Sequence, residues 1–114
     1  MHIAFTVWKP LDREHLDAIP LGLAAVQLRR ADGLVSYPTG KSTLVCFLFS
    51  EDTQKTLERL CGAELERPGA MGQGPLWFRY LLSEDAEEII GKRYLRFVQR
   101  FGSPPVLQTR IMGE

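Results

Sequence analysis

Asparagine is absent from this 114-residue chain, and lysine is scarce, with four against ten arginines. Loss of labile amides is one trend of heat-adapted proteins, and a GC-rich genome produces the same bias, so thermophilic origin is one of two readings. Cysteine is scarce as well: Cys46 and Cys61 stand alone. Two thiols do not make a disulfide framework, and their places in a strand and on an amphipathic helix read as reduced core residues. Neither sign of charge is in excess, since fourteen basic residues balance fourteen acidic ones. That balance removes the global field that draws a protein to nucleic acid or to anionic membrane. Apolar runs are too short to span a bilayer, and the first residues show no export signal. The expectation is a cytoplasmic protein, without membrane association and with nucleic acid disfavoured as a partner.

Motifs are equally sparse. Gly40-Lys41-Ser42-Thr43 looks like the end of a phosphate-binding loop, but Val35 occupies the place of its first glycine. A strand pattern follows where a helix would have to cradle the phosphate. An RNA-recognition domain would carry a Gly- and aromatic-rich run on its third strand, and residues 42–49 do not. His2, His15, Cys46 and Cys61 lack the short paired spacings of structural zinc sites. No cofactor, metal or catalytic residue is assigned on these grounds.

What is present is strong patterning. Thr43-Leu44-Val45-Cys46-Phe47-Leu48-Phe49 is apolar on both faces of a strand, which predicts a central place in a sheet covered on both sides. Residues 2–8, 23–30, 76–82 and 106–112 also read as strands, with a brief return over 34–37. Asp12 caps a short helix, with Leu11 and Leu16 placed as a hydrophobic staple. Ser50 or Asp52 caps a second helix ending at Gly62, and Ser83 a third over 84–101, stopped by Gly102. The fold class expected is α+β. Its plan is a ferredoxin-like βαββαβ core with an appended αβ unit, about five mixed or mostly antiparallel strands and three helices, as one domain over 1–114.

Candidate contacts fall in three places. Glu84, Glu88, Lys92, Arg96 and Arg100 form a stripe at steps of four on the third helix. With Arg93 its second half offers Lys92, Arg93, Arg96 and Arg100 to phosphate or RNA, although a solvated helix face accounts for the same pattern. Residues 62–75 form a long glycine-rich connection in which Met71 is a candidate mobile apolar contact or lid. Trp77 and Leu81 share one strand face, and with three helices assigned to the other face they are expected to meet a second copy in a homodimer. Trp8, Trp77 and Tyr80 are aromatics on which a single strand could stack, though burial in the core is their commoner use. His15, Tyr80 and Arg79 are the residues an enzyme would use. The function expected is a non-enzymatic interaction or ligand-binding domain acting as a homodimer, its ligand or protein partner unidentified. A small enzyme near His15 and single-strand binding through the third helix are the alternatives.

Overall fold

Alternation along one strand organises the molecule. The computed structural model describes residues 4–109. In strand β2 (Ala24–Arg30), Ala24, Val26 and Leu28 enter one hydrophobic cluster and Ala25 another. Successive side chains of a strand point to opposite faces, so a strand apolar on both needs two covers. Both are present.

The chain runs β1 (Lys9–Pro10), α1 (Arg13–Asp17), β2, β3 (Val35–Tyr37), β4 (Gly40–Ser42), β5 (Leu44–Ser50), α2 (Thr53–Glu66), β6 (Leu76–Leu82) and α3 (Ala86–Phe101). Four strands form one sheet in the order β1-β6-β2-β5, and β3 and β4 form a separate two-stranded sheet. Every pairing is antiparallel. The α+β class and the three helices agree with the sequence reading, whereas a single sheet of about five strands does not. The expected ferredoxin-like order is not the one found. That plan centres the first and third of its four strands, but here the first strand lies at an edge and β6 and β2 are central. Element order does not decide which strands lie inside, because a crossover of the same length reaches either side.

Strand β5 is likewise at an edge and not in the middle. Its double-sided apolarity reflects cover on both faces, which an edge strand can have too. Its outer edge is closed by the segment after α3. The Leu107 N–H donates to the Val45 carbonyl. The Gln108 side chain accepts from the Phe47 N–H at 2.8 Å and donates to the Phe47 carbonyl at 2.7 Å. A primary amide thus replaces a neighbouring strand and blunts the edge. The expected strand over 106–112 is not formed by its described part, and residues 110–112 lie outside the described residues, as do His2 and Ile3.

Helices α1 and α2 cover the first sheet face, with Leu16, Ile19, Leu57 and Cys61 packed with Val26, Leu28, Leu48 and Phe78. Asp12 caps α1 by accepting from the His15 N–H, and Asp52 caps α2 by accepting from the Lys55 N–H. Helix α3 covers the second face: Ala86, Ile90 and Phe97 pack on Ala25 and Phe47, and Leu81 packs against this cluster. A face bare of helices was the ground for expecting a homodimer, and that ground is removed. Gly102 ends α3 at φ 81°, a left-handed conformation that suits glycine.

The connection after α2 is shorter and better anchored than its composition suggests. The helix continues through Gly62 to Glu66, with a kink at Cys61. The buried Glu64 carboxylate accepts from the Gly69 N–H at 3.0 and 3.1 Å and from the Leu76 N–H at 3.0 Å. Met71 is buried in the first core cluster and is not an exposed mobile contact.

Candidate functional site

On the second sheet face, the apolar pattern breaks in one row. Gln27 and Arg29 of β2 and Trp77 and Arg79 of β6 share this face, because the register sets Gln27 opposite Arg79 and Arg29 opposite Trp77. Gln27 is buried, and its Oε1 accepts from Arg79 Nε at 2.6 Å. Burial first, and then the neighbouring Arg93 and Arg29 charges, lower the Arg79 pKa from its ordinary value. Three guanidinium groups therefore share a partly desolvated place.

Helix α3 crosses beside this row and adds more positive charge. Arg93, Arg96 and Arg100 recur at helical spacing and, with Arg79, line a cleft of about 270 Å³ whose floor is Gln27 and Phe47. Among the described residues, no carboxylate lines the cleft. Among the described residues, the ion pairs that form lie elsewhere and involve none of Arg29, Arg79, Arg93, Arg96 and Arg100. Arg100 is held by the Thr39 carbonyl at 3.1 Å, which ties the β3–β4 hairpin to the end of α3. Lys92 is separate from this group, paired to Glu88 at 3.0 Å.

Aromatic rings fill the spaces between the arginines. Arg93 lies 4.7 Å from the centre of the Phe5 ring, and Arg79 lies 4.9 Å from the same ring. Arg79 is also 4.5 Å from Trp8, Arg29 is 5.3 Å from Trp8, and Arg29 is 5.5 Å from Trp77. The order Arg93, Phe5, Arg79, Trp8, Arg29, Trp77 is a continuous alternation of cation and ring. Each contact is favourable, by about 0.5–2 kcal/mol according to exposure. Rings thus stand where carboxylates would otherwise neutralise the arginines, and the positive charge remains available.

A larger hollow of about 430 Å³ lies between β5 and α3, over Phe47, Phe49, Ile90 and Tyr94. It is mainly apolar and brings no group of like charges together, so the distinctive chemistry belongs to the smaller cleft.

The residues named for an enzyme do not converge. Tyr80 stacks on Phe78 in contact with the first core cluster, whereas Arg79 faces the other side of the sheet. His15 sits on α1, over Tyr80's side, with Nδ1 2.7 Å from Asp12 Oδ1. Burial acts to raise the Asp12 carboxyl, but hydrogen bonds from the His15 backbone and ring, with its charge, hold it below the ordinary value. That pairing is the capping turn of α1. Of the residues singled out from sequence, the structure gathers Arg93, Arg96 and Arg100 with Arg79, and Trp77 with Trp8. It places Met71, Leu81 and Lys92 outside the group. Phe5, Gln27 and Arg29 were missed, although the polar residues at 27, 29 and 79 on one otherwise apolar face were a readable signal.

Comparison with family models, with curated proteins and with solved structures finds no match to this chain.

Proposed function

We propose that this chain is a non-enzymatic binding domain that holds a phosphate-bearing anion in the cleft between β6 and α3. The observation that supports it is the convergence of Arg79, Arg93, Arg96 and Arg100 on one cavity that, among the described residues, no carboxylate lines. Guanidinium groups crowded together repel, and an anion bound among them removes that repulsion while forming charge-assisted, often bidentate, hydrogen bonds. Gln27 sets the Arg79 fork from beneath, so one of the four is already oriented. The fixed Arg100 gives a second anchored cation at the hairpin end.

Other features agree with a binding rather than a catalytic role. Burial raises both thiols, Cys61 to about 12 with Glu64 as a second cause, and leaves neither as a nucleophile at neutral pH. Both cysteines are unpaired, which fits a reducing compartment such as the cytoplasm.

The test is calorimetric titration with sodium tripolyphosphate at low salt. Saturable binding is expected, weakened at least tenfold in the double variant R93Q/R96Q and falling steeply as salt rises. Absence of binding at millimolar tripolyphosphate, or equal affinity in the double variant, would sink the proposal.

A further inference from the structure

Resting on the reading that the arginine cleft holds phosphate, we infer that the natural ligand is a single strand of nucleic acid. The positive surface does not stop where the cleft stops. The cleft is lined by Arg79, Arg93, Arg96 and Arg100, but the alternation of cation and ring continues past it through Trp8 and Arg29 to Trp77. A compact anion would engage the cleft and leave this extension unused. An extended polymer with a charge at every repeat would reach Arg29 beyond the cleft, and a flat group on it would meet Trp77 at the end of the row.

The chemistry of the extension selects the polymer. Bases stack on aromatic rings. Phe5 and Trp8 each already hold two guanidiniums, whereas Trp77 ends the row with Arg29 as the one cation over it among the described residues, which makes it the ring for a base. Phosphates take the arginine forks. An acidic peptide would satisfy the arginines but has no regular planar group for Trp77. A duplex presents phosphates but keeps its base faces stacked inside, away from the rings. Gln27, the side-chain amide of the row, already accepts from Arg79 and is not aimed at a base edge. Binding with little sequence preference follows.

The chain carries its own reporter, because Trp8 and Trp77 are its two tryptophans and both belong to the alternation. Titration of the intact chain with a twelve-nucleotide oligothymidylate at low salt should quench their fluorescence. The affinity should exceed that for a polyphosphate of equal charge by roughly fivefold to a hundredfold, the weight of one stacked base. A plot of log affinity against log salt should have a slope of about −3, as expected when four or five phosphates are neutralised. The variant W77L should lose the advantage over polyphosphate while keeping polyphosphate binding. Arg96 is exposed and tolerant of change, so R96Q supplies a second test in case W77L does not fold; it should weaken both ligands several-fold. If polyphosphate binds and the oligonucleotide binds no better and leaves the fluorescence unchanged, the single-strand inference fails while the phosphate reading survives. If neither binds, the phosphate reading itself is wrong. Equal or tighter binding of a twelve-base-pair duplex or of polyglutamate would overturn the inference in favour of those partners.

Discussion

Phe47 joins the core to the cleft. Its side chain is buried, its ring meets Phe97 edge-on at 5.7 Å, and it also lines the arginine cleft. Phe97 in turn contacts Tyr37 and Phe101, so one aromatic group fixes α3 on β5 and the hairpin on α3. Replacing Phe47 with alanine removes a large ring from a packed place and leaves a cavity. We expect a loss on the order of 3–5 kcal/mol, read as a lowered urea midpoint. A midpoint near that of the unaltered chain would show that α3 is not seated by this contact. Tripolyphosphate affinity should fall in the same variant if it folds, because the helix that carries Arg93 and Arg96 would lose its seat.

At the scale of elements, the edge of β5 depends on one side chain. Gln108 satisfies both the N–H and the carbonyl of Phe47, and Leu107 satisfies the carbonyl of Val45. Gln108→Ala takes the partner from the Phe47 N–H and leaves its carbonyl with the long, weak Cys46 Sγ contact at 3.8 Å. The expected cost is about 1–2 kcal/mol, since water can replace part of what is lost. Faster exchange of the Phe47 amide proton should accompany it, and unchanged exchange would mean that the amide clasp does not protect the edge. None of this could be read from the pattern of residues 106–112, where alternation suggested a strand. Strands β2, β5 and β6 were legible because each is a mainly apolar seven-residue run, too short for a helix, and β5 and β6 are rich in β-branched or aromatic residues. The cap at Asp12 was legible because its chemistry is local, and that of α2 was narrowed to Ser50 or Asp52, whereas α3 starts after Asp85 and not after the expected Ser83. Strand order, and the side on which α3 lies, depend on long-range packing that local sequence does not encode. The site was half legible for the same reason. Arg93, Arg96 and Arg100 stand in one helical stripe, whereas Arg79 and Arg29 join them only through sheet register and Trp8 through the segment that leads into β1. Glu64 shows the reverse error, for a glycine-rich segment that looked loose is anchored by a buried carboxylate.

Across the whole molecule, the balance of fourteen acidic against fourteen basic residues conceals an uneven distribution. Carboxylates pair with Arg13, His15 and Lys92, while Arg79, Arg93 and Arg100 of the cleft lie over rings. Overall neutrality therefore limits long-range steering but not local anion binding. The same geometry bears on assembly. A homodimer was expected because an uncovered apolar sheet face is poorly tolerated in a monomer. Helix α3 now lies over Ala25, Phe47 and Leu81, and the uncovered remainder around Trp77 carries Arg29 and Arg79. Pairing two such faces would oppose arginine to arginine, a repulsion that grows as water is excluded. The chain should therefore sediment at micromolar concentration as a single copy of 12.9 kDa, at low salt above all. A dimer that formed at low salt would mean that another surface carries the contact. One that formed only at high salt would point to this face, because salt screens the repulsion that otherwise keeps two copies apart.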